Sequence, residues 1–331
     1  MPVSSVSPVH PVPPSSRHLL IPFAGRGSPA CREALTGLRL PKLEALLGRL
    51  SLMHEDMQDD STLSPPHERA LAAALGIAAP DGCIPWAALE AKQSGLHPTD
   101  AAESWGLATL CHWHVGIDDV VLGDPAAIHI DESESAALLK AAQPFFAEDG
   151  IALHASSTPG RWLAQGKVFD GLATASIDRA VGSPISEWSP LTDAARPLRR
   201  LQNEMQMLLY TERVNDDRAA RGVPPINSFW LSGTGNLPEA MSPNGPAPTV
   251  NDALRTAALR DDGAAWASAW QALDAGPVAA LLADASGGAN VMLTLCGDRG
   301  ARCFGVQPRG LVGWARNLFS RASTGDVLGA L

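Results

Sequence analysis

Four groups of residues in this chain have types and spacings suited to chemistry. The first is His67-Glu68, which follows Ser64-Pro65-Pro66. Serine can cap a helix and proline fits its first turn, so the pair is expected at a helix start. A histidine there could act as acid, base or nucleophile, and the positive end of the helix favours an anion beside it. Glu68 would equally complement that dipole in a solvated first turn. The second group is His112-Trp113-His114, followed by Asp118-Asp119. On a strand, His112 and His114 share a face and Cys111, Trp113 and Val115 pack behind them. Two imidazoles and a carboxylate suit zinc or manganese, but no third ligand has diagnostic spacing, and surface histidines give the same pattern.

The third group is the turn Ser232-Gly233-Thr234-Gly235, after the apolar run Ile226–Leu231. Glycines let a backbone approach a ligand, and exposed amides bind phosphate. No lysine follows at P-loop spacing, and a tight turn at the end of a buried strand fits as well. The fourth group comprises Asn203-Glu204 and Asn215-Asp216-Asp217-Arg218. Asparagine and arginine can grip phosphate or carboxylate, or cap and solvate a helix end. Asp216, Asp217 and Asp298 could ligate a metal, without a signature spacing. No Gly-x-Ser-x-Gly elbow occurs.

Periodicity sets the elements that must position these groups. Leu19–Ala24 reads as an opening strand ended by Gly25 and Gly27. Leu43, Leu46, Leu47 and Leu50 form one helical face after Pro41. Residues 54–64 read as a polar loop, and a helix then runs to Leu75 and stops at Gly76. Leu107–Val115 and Val120–Leu122 look extended, Asp131 can cap a helix through Ala142, Pro144 ends or kinks it, and Ile151–His154 returns as a strand. The clearest helix is 197–213, with Leu198, Leu201, Met205, Leu208 and Leu209 as its stripe. Trp266, Trp270 and Leu273 mark a helix ended by Gly276, two late strands lie at 290–295 and 302–306, and Leu311, Trp314 and Leu318 suggest a final short helix. The expected fold is α/β, a mostly parallel sheet covered by helices. The expected organisation is a flexible arm at 1–16, an α/β core at 17–104 and 170–331, and an α+β insertion at 105–169.

Composition narrows the function classes. Of 331 residues, 45% are apolar and 18% charged, which suits a globular core. A net charge of −10 excludes the basic footprint that nucleic acid requires and disfavours an anionic membrane surface. No uncharged apolar stretch reaches the roughly 18 residues that span a bilayer. The Pro- and Ser-rich N-terminus lacks the apolar region of a secretory signal. Five cysteines without Cys-x-x-Cys spacing read as reduced thiols in a cytoplasmic protein. The nine tryptophans are expected to serve packing.

One stretch carries a resemblance. Val214-Asn215-Asp216-Asp217-Arg218, then Gly222-Val223-Pro224-Pro225-Ile226-Asn227, then Leu231-Ser232-Gly233-Thr234-Gly235 resembles the archaeal-type cofactor-independent phosphoglycerate mutases of the alkaline phosphatase superfamily. Glu212-Arg213 stands where that family has His-Pro. Leu19–Ala24, Leu40-Pro41-Lys42-Leu43, His67-Glu68-x-Ala70 … Leu75-Gly76 and Pro85–Ala91 extend the likeness upstream. The resemblance implies a truncated alkaline phosphatase-like core and a degenerate bacterial branch, of the RpfE regulatory-protein type. It implies His67 at the position of the family's serine nucleophile. It also implies a ligand site formed by Asn215, Arg218, Asn227, Ser232, Gly233, Thr234 and Gly235.

The departures bear on activity. The mutases hold two metal ions, and their first metal-binding aspartate ends the opening strand, where this chain has Phe23-Ala24-Gly25. Further family ligands follow the Gly-x-Gly turn, but no histidine occurs after His154. Without its ligands a two-metal site cannot activate a nucleophile or stabilise phosphoryl transfer. The leading expectation is a regulatory or phosphometabolite-binding protein without a cofactor and with unassigned protein partners. The alternatives are an active phosphoryl-transfer enzyme with a relocated site at His67 or His112/His114, using manganese or magnesium, and a non-catalytic interaction module.

Overall fold

The computed structural model describes residues 17–96, 104–238, 241–243, 245–306 and 323–331. The expected arm at 1–16 and the expected helix at Leu311–Leu318 lie outside these residues. Among the described residues, no helix is long and apolar enough to cross a membrane. The five cysteines are all unpaired.

The opening run folds as strand β1 (Arg17–Ile21), which lies parallel to β10 (Val291–Cys296) and to β9 (Thr249–Val250). β10 pairs antiparallel with β11 (Gly300–Gly305), and β11 antiparallel with the edge strand β2 (Ser51–Met57). The sheet order is β2-β11-β10-β1-β9. Alternation sends Leu19, Ile21, Leu293, Leu295 and Phe304 into the larger core. That core lies under α1 (Pro29–Gly37), α2 (Pro41–Leu47), α11 (Gly263–Leu273) and α12 (Ala279–Ser286). Leu20, Cys296 and Ala301 face the other way, against Ala70 and Leu71 of α3 (Pro66–Leu75). The sheet is therefore covered by helices on both faces, as the α/β expectation requires, and it is mixed, with its parallel pairs centred on β1.

A second, wholly antiparallel sheet has the order β6-β7-β3-β8, formed by β6 (Ala152–Ala155), β7 (Arg161–Gly166), β3 (Ser104–Cys111) and β8 (Ser228–Gly235). α5 (Glu132–Glu148) and α8 (Arg196–Thr211) cover one face through Leu138, Phe146, Trp162, Leu201, Met205 and Phe229. α4 (Trp86–Gln93) covers the other through Ala87, Ala88 and Ala91. The hairpin of β4 (Trp113–Val115) and β5 (Val120–Leu122) packs on α6 (Ile177–Ala180) and α7 (Ile185–Trp188). β8, given to the α/β core in the sequence division, hydrogen-bonds to β3 in this second sheet.

Several elements differ from their sequence expectations for identifiable reasons. β2 occupies part of the expected loop; as an edge strand with Leu52, Met53 and Met57 exposed, it carries no clean apolar alternation. Ser64 does not cap α3. The N-cap is Pro65, and Ser64 Oγ accepts the Gly82 amide at 2.9 Å. Asp131 forms a capping box with Glu134, but α5 continues through Pro144 because Ala142 and Phe146 bury on both sides of it. α8 ends at Thr211. Glu212 is extended, and Asn215–Arg218 belong to a separate helix, α9 (Arg213–Ala220). Gly276 does not end α11, which passes through a π-turn, Asp274–Val278, into α12. That turn aims the buried Asp274 carboxylate at the Leu43 amide, 2.7 Å away, filling the start of α2.

Candidate functional site

The loops that leave the three parallel strands at their carboxyl ends gather in one place. Ligands of α/β sheets bind outside such ends. After β1 come Phe23, Arg26 and Gly27. Beyond β9 lies Arg255, at the start of α10 (Arg255–Leu259). After β10 comes Asp298. The loop after β1 is fixed from below: Trp266 Nε1 donates to the Phe23 carbonyl at 3.0 Å and Trp270 Nε1 to that of Ala24 at 3.1 Å. Phe23 has a φ of 57°, which a non-glycine residue adopts only when its surroundings impose it. Gly25 must be glycine, since a Cβ there would stand 2.1 Å from the carbonyl oxygen of Leu328 in α13 (Thr324–Gly329).

His67, in the first turn of α3, enters this crevice with its Nε2 3.3 Å from Asp178 Oδ2; both side chains are 12% exposed. Asp178 belongs to α6, so the pair bridges elements packed on different sheets. Asp178 Oδ1 also accepts Arg255 Nε at 2.8 Å, and Arg255 Nη1 reaches Asp124 at 3.1 Å. Burial works to raise the Asp178 pKa, but His67 and Arg255 outweigh it and hold the carboxyl at about 2. The Phe23 ring lies 5.1 Å from the imidazole, centre to centre. Glu68 turns away from the crevice and is gripped by Trp86 Nε1 at 2.9 Å and by the Ser176 hydroxyl. Burial raises its pKa, against the lowering effect of His67 and these hydrogen bonds.

A second set of ion pairs adjoins the first. The Arg26 guanidinium sits 5.8 Å above the Phe23 ring centre and donates through Nη1 to Asp298 Oδ1. The Gly27 amide donates to Asp298 Oδ2 at 2.7 Å, and Arg179 Nη1 to the Asp298 carbonyl at 3.1 Å. Arg179 Nη2 and Arg69 Nη1 share Thr62 Oγ1, and Arg69 Nε pairs with Asp56. The Nε atoms of Arg26 and Arg179 are buried without a partner.

Of the residues singled out in the sequence, His67 and Asp298 stand in this crevice; Asn215, Arg218, Asn227 and the Ser232–Gly235 segment are engaged elsewhere. Asn215 binds the Leu209 and Ile226 carbonyls and the Ile226 amide, each at 2.7 Å, fastening the loop before β8. Arg218 is 1% exposed and bonds to Glu134 at 2.8 Å, Ile128 O and Pro224 O. Asn227 pairs with the amide and carbonyl of Trp113, as a strand neighbour would. The Ser232–Gly235 segment is strand rather than open turn. Ser232 is buried, and the Thr234 hydroxyl donates to Leu172 O at 2.5 Å. Gly233, with a φ of 64°, lies under Trp86, and Gly235 lies against the Cys83 carbonyl. Ser232, Gly233 and Thr234 are thus buried, with Gly233 against Trp86 and Ala87 of α4 and Gly235 half-buried at the strand end.

His112 and His114 do share a side, with ring centres 4.5 Å apart, and His112 Nδ1 is 2.8 Å from Pro225 O. Burial lowers the His112 pKa, against the raising effect of Pro225. Among the described residues, no group of three or more His, Cys, Asp and Glu side chains is arranged to hold a metal ion. The two ions implied by the mutase resemblance do not fit the crevice either. Phe23 presents a ring, packed between His67 and Arg26, where that resemblance calls for a carboxylate. Arg26, Asp124, Asp178, Arg179 and Arg255 escaped the sequence reading. Their only sequence signal is the Ser176–Arg179 helix start, because the fold brings them together from distant segments.

No family model matches this chain, and no curated protein matches it. Among solved structures it is similar to a cofactor-independent phosphoglycerate mutase from Thermoplasma acidophilum DSM 1728, at 13% identity and a TM-score of 0.37, over 87% of this chain and 89% of that one. It is also similar to the PH0037 protein from Pyrococcus horikoshii, at 13% identity and a TM-score of 0.42, over 88% and 87% of the two chains. At these values neither similarity bears on what the crevice does.

Proposed function

We propose that this chain is a phosphoglycerate mutase-like protein that binds a phosphorylated small metabolite at the His67 crevice without a metal ion, and that binding, in a regulatory role, is its function. One observation supports the reading above the rest: at the carboxyl ends of the parallel strands, the His67 imidazole and the Arg26 guanidinium flank an apolar Phe23, with Arg255 tied to the Asp178 that holds His67 and Arg179 to the loop of the Asp298 that holds Arg26. Guanidinium forks match phosphate and carboxylate oxygens, and a three-carbon phosphoacid carries both. Asp178 engages Nε2, so a ligand would meet Nδ1 of His67. Calorimetric titration of 3-phosphoglycerate into protein in excess EDTA tests the reading. Saturable heat in wild type, weakened in Arg255→Gln, is expected; no heat at millimolar ligand rules it out.

The His67–Asp178 pair favours a second reading, phosphoryl transfer. A carboxylate that orients one ring nitrogen leaves the other as base or nucleophile. The His67 Nδ1 lone pair would form an N–P bond, the P–O ester bond would break, and the leaving oxygen would take a proton from water. Acid-labile phosphate on the protein after incubation with phosphoglycerate is its signature, and full turnover by His67→Ala excludes it.

A further inference from the structure

The crevice contains its own anion. Arg26 pairs there with Asp298, Arg69 with Asp56, and Arg255 with Asp124 and Asp178, while Arg179 donates to the Asp298 carbonyl and Thr62 Oγ1 rather than to a carboxylate, so a phosphate that reaches Arg26 must take the place of Asp298. Asp178 and Asp124 are poor candidates: they are 12% and 10% exposed and tie α6 and its neighbours to Arg255. Asp56 braces the side of Arg69 that faces β2. Asp298 differs. It stands in the β10–β11 turn, its side chain 29% exposed, and it holds a guanidinium and a backbone amide on its two oxygens. That is the donor set of an oxyanion site, occupied by a side chain.

The surrounding donors outnumber what one carboxylate takes up. Arg26 Nε and Arg179 Nε are buried with no acceptor, and an unpaired buried donor is costly. Burial and the nearby Arg69 push the Arg179 pKa down, against the opposing effects of Asp298, Asp60 and Asp81, so its cationic form gains from further negative charge. A phosphate offers more acceptor oxygens and more charge than a carboxylate.

Building on the metabolite-binding reading above, we propose that Arg26, the Gly27 amide and Arg179 form the oxyanion subsite for the ligand's phosphate, and that Asp298 occupies that subsite in the unliganded protein as a tethered competitor. Binding then exchanges one anion for another. The Asp298 side chain swings to solvent while its backbone stays pinned, since the Arg299 and Gly300 amides both donate to the Leu331 carbonyl, at 3.1 and 2.9 Å. Asp298 sets a threshold, so that weak monoanions fail to displace it and phosphomonoester dianions succeed.

The test is a gain of affinity. Inorganic phosphate and 3-phosphoglycerate are titrated in EDTA into wild type, Asp298→Ala and the double variant Asp298→Ala/Arg26→Gln. Asp298→Ala should bind phosphate about tenfold tighter than wild type, which corresponds to Asp298 vacating the subsite in roughly one molecule in ten. Arg26→Gln should remove the gain. Equal or weaker phosphate binding by Asp298→Ala, with wild type still taking phosphoglycerate, overturns the competitor and leaves the metabolite reading intact. If no protein takes either titrant, both fall. Asp298→Asn, which keeps the side-chain shape, supplies the same comparison should the alanine variant not fold.

Discussion

His67 and Asp178 meet at 3.3 Å across the boundary between the two sheets, one from the first turn of α3 and the other from the short helix α6. Because Arg255 holds the same carboxylate from α10, Asp178 links three elements through one side chain. The pair therefore joins the architecture to the proposed site.

Asp178→Asn should cost about 1–3 kcal/mol, since His67 loses its carboxylate and Arg255 is left with Asp124. Its acid behaviour should change as well. The folded pKa of Asp178, about 2, lies below its unfolded value of 3.8, so the unfolded chain binds more protons between them. Stability from this group is complete above pH 4 and drains away as pH falls toward 2. Urea unfolding across that range should show a shallower acid decline in Asp178→Asn than in wild type; parallel curves would mean that the network does not hold the carboxyl down.

Glu68 has the opposite sign. Its folded pKa is raised by burial, so the folded state holds the proton more tightly than the unfolded one. Its effect on stability turns unfavourable as pH rises above the unfolded value. Glu68→Gln imitates the protonated form, donating to Ser176 and accepting from Trp86. It should unfold at a higher temperature than wild type at neutral pH, with the difference shrinking toward pH 4. A variant less stable than wild type at pH 7 would show that the ionised form is the one the fold prefers.

The Gly233–Thr234 segment should behave as structure. Gly233→Ala is strained by its φ of 64° and brings a Cβ within 3.1 Å of Trp86 Cβ, so a loss of about 1 kcal/mol or more is expected. Thr234→Val strands the Leu172 carbonyl and should cost about 1–3 kcal/mol. Phosphate binding by folded protein should not change in either variant. A selective loss of binding with stability intact would return this turn to the site.

Arg218→Ala should be among the most damaging single changes in the second sheet's core, about 3–5 kcal/mol, because it takes from the buried Glu134 its buried counter-charge and leaves it the half-exposed Arg221 and the Asp131 amide. Denaturant titration measures this directly, and a loss under 1 kcal/mol would count against the buried pair.

What could be read from the sequence follows the range of each interaction. β1, α3, α5 and α8 announce themselves by local periodicity, caps and prolines, and His67 was legible because Ser64-Pro65-Pro66 marks a helix start. The ligand set after Val214 could not be weighed from sequence, because asparagine, arginine and glycine are equally suited to gripping an anion and to knitting a loop. Only the fold shows that Asn215, Arg218 and Asn227 spend their hydrogen bonds on backbone groups and a buried glutamate. Asp178, Arg179, Arg255 and Asp298 come together through packing of the two sheets, for which no short spacing exists. β2 and β7 were missed because neither alternates cleanly: the first is an exposed edge and the second is buried along nearly its whole length.

Metal-free recognition of a phosphometabolite is tested most directly by thermal unfolding in EDTA, then with manganese, magnesium or zinc, each with and without 3-phosphoglycerate. A ligand at 100 times its dissociation constant adds about 2.7 kcal/mol, visible as a shift of several degrees. The predicted result is a rise with phosphoglycerate in EDTA that added metal leaves unchanged. A rise that appears only when metal is supplied would contradict it and restore a metal-dependent enzyme.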